Sequence, residues 1–137
     1  MRKSEKHIEK DLYRLVSASQ LAKAISGKVY RGKMRPEDSQ KEDITITFLS
    51  GIEGQIQNGV IILNVYVPDI TLKGSARKVE DTSRIETLED AVIGFVRDCK
   101  GSEYLYTLDG SPRSIEVEGI NQHVIYTRIH FQRFTEE

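Results

Sequence analysis

The sequence has no tryptophan, one cysteine and three prolines in 137 residues. A single thiol excludes an intrachain disulfide and any cysteine-based zinc cluster, both of which need cysteines in sets. A reducing compartment is the simplest setting for such a chain. No stretch reaches the roughly 18 consecutive apolar residues of a membrane span. The opening "MRKSEKHIEKD" is charged, with no apolar run behind it. The expectation is a protein made in the cytoplasm, with no membrane partner, that leaves only as part of a larger particle. An excess of charge of either sign is lacking too: 20 Lys and Arg stand against 21 Asp and Glu. So balanced a chain has no field to draw it onto DNA or anionic lipid, and no specific nucleic-acid binding is expected.

The short motifs that announce common chemistry are also missing: there is no GxxxxGK[ST], GxGxxG, HExxH or GxSxG. His7 is remote in sequence from His123 and His130, and the odd spacing of the latter two puts them on opposite faces of one strand. Cys99 falls on an apolar helical stripe near a helix C-terminus, where the dipole disfavours a thiolate, so it reads as a small buried hydrophobe. Carboxylates gather at Glu37, Asp38, Glu42 and Asp43, and again at Glu86, Glu89 and Asp90. Converging on a pocket, a pair of them would hold Mg²⁺ for a nuclease or other hydrolase, which is the competing functional reading. Each group is interleaved with Lys or Arg in a loop or on a polar helix face, a pattern that favours solvated charge. Neither a cofactor, a metal nor a catalytic residue is expected.

What is present is patterning. Ile8, Leu12, Leu15, Val16, Ala22 and Ile25 recur at helical spacing, with Ser4 as the cap, "SAS" at Ser17–Ser19 as a bend and Gly27 as the stop. "KVY" is a short strand, and in "DITITFLS" Ile44, Ile46 and Phe48 alternate with Thr45 and Thr47. "GIEGQIQNG" reads as a hairpin connection, and "VIILNVYVP", Val60 to Pro68, as a central strand. A second helix runs from a Ser83–Glu86 capping box through Ile85, Leu88, Val92, Phe95, Val96 and Cys99 to a stop at Lys100 and Gly101. Three strands follow, "EYLYTL", "RSIEVEG" and "QHVIYTRIHFQRF"; in the last, Ile125, Ile129 and Phe131 share one face and Tyr126, Arg128 and His130 the other. Helices are too few for a doubly wound sheet. The pattern predicts one α+β domain over 1–137: a central antiparallel or mixed sheet of four to six strands, two helices on one face, and the Thr-, Arg- and His-bearing face left open.

Between the first two strands lies "RGKMRPEDSQKED", Arg31 to Asp43, with eight charged residues in thirteen and no hydrophobic period. Its mixed signs suit a protein partner of complementary pattern or a second copy of the chain. With the N-terminal helix, "GKVYRGKMRPEDSQKEDITITFLSG", "QNGVIILNVYVPDI", the second helix and "QHVIYTRIHFQRF", the chain resembles the small tail-terminator, or tail-completion, proteins of long-tailed bacteriophages and prophages. The matching features are the Arg-Pro turn at Arg35 and Pro36, the acidic step at Glu42 and Asp43, a strand ending in Tyr-Val-Pro-Asp at Tyr66 to Asp69, and a last strand alternating apolar residues with Arg and His.

That resemblance implies a non-catalytic virion component made in the bacterial cytoplasm. It implies self-assembly into a ring, commonly of six, which caps the tail tube, ends its polymerisation and offers a surface to a head-joining protein. Ring contacts need two different complementary patches on one chain. The candidates are the two mixed-charge loops, with Arg35, Glu37, Asp38 and Lys41 in one and Lys73, Arg77 and Lys78 in the other. A regulatory module that binds some other protein is a third reading, differing from the first only in partner.

Overall fold

The computed structural model describes residues 2–52, 56–99 and 103–134. Ser4 starts α1 (Glu5–Ser17), its hydroxyl accepting from the His7 N–H at 3.3 Å. Ile8, Leu12 and Val16 form the buried stripe. The serine run bends the chain as expected: the Ser19 hydroxyl donates to the Val16 carbonyl at 2.6 Å, and a short α2 (Gln20–Ala24) follows. Gly27 is not its stop, because Ile25 is already extended. Gly27 donates instead to the Glu42 carbonyl at 2.8 Å. A β-carbon there would lie 2.5 Å from that carbonyl and collide with the Asp43 carboxylate, so glycine is required by the approach of two backbones.

The sheet is mixed and six-stranded, in the order β1 (Val29–Arg31), β2 (Ile44–Ile52), β3 (Ile56–Pro68), β8 (Gln122–Phe134) and β6 (Tyr104–Leu108), with β7 (Arg113–Val117) also on β8. β1 runs parallel to β2, joined by the loop 32–43. β2 pairs antiparallel with β3, and β3 pairs along its full length with β8, from Ile56 opposite Phe134 to Pro68 opposite Gln122. The far edge of β8 carries β6 and β7 one after the other. The segment read as a hairpin connection is largely strand: Gly51 sits opposite Gly59 and Ile52 opposite Asn58, while residues 53–55 lie outside the described residues. The register shifts at Leu49, and Gly59 lies so close to the Ser50 carbonyl that any side chain would part the strands.

Pairing sorts the side chains. Ile44, Ile46, Ile61, Leu63, Val65, Ile125, Ile129 and Phe131 face the helices and join one core with Ile8, Leu12 and Val16 of α1, Leu21 of α2, and Ile85, Leu88, Val92 and Val96 of α3 (Thr82–Asp98). Each such side chain contributes about 1.5–3 kcal/mol by leaving water. Three helices therefore cover one face, the expected first helix being divided at its bend. α3 begins earlier than its capping box suggested. Asp81 is the cap, its carboxylate accepting from the Arg84 N–H at 3.2 Å, because an anion meets the helix dipole better than a hydroxyl does. The stop read at Lys100 and Gly101 lies outside the described residues. No described helix is long and apolar enough to cross a membrane.

Gly27→Ala should lower stability by about 1–3 kcal/mol through forced separation of the Gly27 and Asp43 segments. Gly94→Ala, in α3 with only the Arg97 guanidinium at 3.6 Å from the new methyl, should instead add up to about 1 kcal/mol. Urea denaturation midpoints of the two variants, compared with the parent, test both signs.

Candidate interaction surface

Arg35 organises the loop 32–43 from within. Its side chain is 8% exposed; Nε donates to Asp43 Oδ2 at 2.9 Å, and Nη2 to the Ser39 and Lys41 carbonyls and to Gln122 Oε1, at 3.3, 3.2 and 3.0 Å. The guanidinium also lies over the Tyr66 ring, 4.0 Å from its centroid. Asp43 accepts in addition from the Ser39 hydroxyl and the Lys28 N–H, and the buried Gln122 amide donates to the Ser39 carbonyl at 2.7 Å. One cation thus gathers the loop's own Ser39, Lys41 and Asp43 and ties them to Tyr66 of β3 and Gln122 of β8. Burial acts to raise the Asp43 carboxyl; the Ser39, Lys28 and Arg35 bonds outweigh it and hold that carboxyl below the usual carboxylate range.

Arg84 of α3 does the same for Glu42, reaching its two oxygens at 2.7 and 2.8 Å and also donating to the Ala24 carbonyl. Ser26 bonds the same carboxylate through its N–H. Both carboxylates of the acidic step into β2 are therefore engaged by guanidinium groups. Of the residues proposed from sequence for this loop, Arg35 is turned inward, whereas Glu37, Asp38 and Lys41 are exposed. Met34, at the loop's crest, is 74% exposed.

The second loop is a ribbon. It is closed by β4 (Ile70–Thr71) and β5 (Lys78–Val79), a pairing the sequence reading left as irregular loop. Lys73, Arg77 and Lys78 are all exposed on it, beside exposed Ile70 and Leu72, and no carboxylate occurs between residues 70 and 79. Its feet are held by His123. The Nδ1 atom is 2.7 Å from Asp69 Oδ1, and Nε2 is 3.7 Å from Glu80 Oε2, the oxygen that also accepts from the Ser114 hydroxyl at 2.6 Å. A polar cavity of about 390 Å³ opens here, lined among others by Asp69, Arg77, Glu80, Glu116 and His123. The sequence reading missed this cluster, since His123 and Asp69 are 54 residues apart and only the β3–β8 register unites them.

Both loops stand at one end of the sheet: Tyr66 donates to the Asp43 carbonyl, Asp69 to the Asn121 carbonyl, and Gln122 to Ser39. A groove of about 550 Å³ runs beside the first loop, between Lys33, Pro36 and Glu37 on one side and Tyr66, Val117 and Ile120 on the other. The opposite end is closed by a second polar network. Lys3 bridges Asp11 and Glu103 at 2.7 and 2.6 Å, Tyr104 donates to Asp11 at 2.6 Å, and Arg133 joins Glu103 to Gln57. Burial and the bond to Asp11 push the Tyr104 phenol well above its usual range. Cys99 packs partly buried against the core, and burial pushes its thiol up. Among the described residues, no three His, Cys, Asp or Glu side chains are grouped to hold a metal ion. Compared with known proteins, the chain matches no family model and no curated protein.

Replacing Arg35 by alanine strands the Asp43 carboxylate and should cost about 3 kcal/mol, measured by chemical denaturation, whereas Asp38→Ala should stay within about 0.5 kcal/mol. Acid gives an independent reading. The folded-state carboxyl of Asp43 lies below the value of 3.8 of an unperturbed aspartate, so its contribution is complete above that value and is lost as pH falls through the lower one. Between about pH 4 and pH 2, stability of the parent should therefore fall more steeply than that of Asp43→Asn.

Proposed function

We propose that the chain is a non-catalytic structural subunit of a phage or prophage tail, of the tail-terminator type. It assembles with copies of itself into a ring on the tail tube, ends tube polymerisation and offers a surface to a head-joining protein. One observation carries this reading: a helix layer covers only one face of the sheet, and the open face and loop end expose large apolar side chains, among them Leu105, Phe134 and Met34. Large apolar side chains exposed on a sheet face that no described helix covers support a reading in which another chain covers that face. Inward-facing Arg35 positions the first loop, and exposed Glu37, Asp38 and Lys41, with Lys73, Arg77 and Lys78 of the ribbon, form a rim suited to docking. The competing hydrolase reading draws little support from Glu42 and Asp43, whose oxygens are occupied by Arg84 and Arg35.

Light scattering over a concentration series, followed by addition of the chain to polymerising tail-tube protein, tests the proposal. The expected results are oligomers at high concentration and shortened tubes. A chain that remains monomeric throughout and leaves tube length unchanged would overturn it, as would Mg²⁺- or Mn²⁺-dependent nucleic-acid cleavage abolished by Asp38→Ala.

A further inference from the structure

The two broad faces of the molecule differ in charge. On the open sheet face, register places Leu105 opposite Gln132, Ile115 opposite Val124 and Arg113 opposite Tyr126, on the same side as Arg128 and Phe134. Leu105, Ile115 and Phe134 are 54%, 39% and 69% exposed. Among the described residues, no strand position on this face holds Asp or Glu. Its cations are Arg113, exposed beside the Tyr126 ring, and Arg128, partly exposed and touching Asp109 of the neighbouring turn at 3.2 Å.

The outward side of α3, on the opposite layer, reverses this pattern. Glu86 and Asp90 are exposed, Glu89 lies partly exposed between them, and Ile93 is the exposed apolar residue one turn on. Like charges at these spacings cost an isolated helix a few tenths of a kcal/mol per pair, and no basic residue of α3 is interleaved among them. Burial, together with Glu80, Asp90 and Glu86, pushes the Glu89 carboxyl up.

From this complementarity we infer that copies of the chain associate front to back, the open sheet face of one receiving the outward side of α3 of the next. Glu86 and Asp90 meet Arg128 and Arg113, and Ile93, the next exposed position of α3, meets Ile115, two residues beyond Arg113 on β7. The contact is heterologous, so repetition gives a closed ring or an open stack. It leaves the loop end at one rim, free for a different partner. The inference deepens the tail-subunit reading and rests on its self-association.

Charge exchange tests it. The variant Arg113→Glu with Arg128→Glu, and separately Glu86→Lys with Asp90→Lys, should each weaken self-association at least tenfold in sedimentation, with near-UV circular dichroism unchanged. Ile93→Asp should act alike without altering either arginine, and Arg113→Glu alone guards against disturbance of the Asp109 turn. Mixing the two double variants, or combining all four substitutions in one chain, should restore association. A parent chain that associates while every variant associates equally well overturns this contact but not the tail-subunit reading; a parent that never associates overturns this contact, and the tail-subunit reading falls with it only when tube length is also unchanged.

Discussion

The pairing of β3 with β8 is the constraint from which the rest of the molecule follows. Thirteen-residue strands run antiparallel in unbroken register, and each supports further strands on its outer edge. Because side chains alternate, a slip of one residue would turn Ile61, Leu63 and Val65 to solvent and Ile62 and Asn64 toward the helices. The same register fixes contacts between residues far apart in sequence. It sets Gln122 beneath the Ser39 carbonyl and His123 beside Asp69, so the two loops at that end are positioned by the sheet rather than by their own sequences.

Sequence periodicity reads well where one strong force acts. The alternation in "ITITF" and "HVIYTRIHF", and the helical stripes of α1 and α3, are direct imprints of a single core, and the α+β architecture with one open face follows from them. Local chemistry was harder wherever a distant partner decided the outcome. Gly27 looked like a helix stop because a glycine after a helix usually is one; its reason is the Glu42–Asp43 segment packed against it. Asp81 displaced the Ser83 capping box because both caps were available and the carboxylate won. "GIEGQIQNG" carried turn residues, yet the pull of a long cross-strand ladder extended both strands into it.

The charged segment 31–43 shows the same division at finer grain. Composition alone gives a solvated, mixed-sign loop. Burial divides it: Arg35, Glu42 and Asp43 are internal ties, while Met34, Glu37, Asp38 and Lys41 remain outside. Composition and hydrophobic periodicity alone do not show that the Arg35 side chain is buried while Lys33 and Lys41 are exposed. The distinction is geometric, since a planar guanidinium offers several donors at fixed angles and stacks on Tyr66, which a lysine ammonium cannot do. A loop tied in this way to β3 and β8 holds its exposed charges in defined positions.

Whether the open face is a solvent face or a contact face turns on its composition. A sheet needs only polar side chains on the side that meets water, and Thr47, Arg128 and His130 meet that need. Leu105, Ile115 and Phe134 do not, and they lie on β6, β7 and the end of β8, on the side of the sheet where no further strand pairs among the described residues. Exposed edge strands invite pairing with other chains, and natural proteins blunt them with charge. Here Arg113 supplies that charge at one point while Ile115, two residues on, withdraws it. A surface that combines cations with bare apolar side chains and lacks strand carboxylates repels like surfaces and accepts an acidic, partly apolar one. On this chain the outward side of α3 answers that description, and the proposed front-to-back contact would set the orientation of one copy on the next through two faces on opposite layers of the fold.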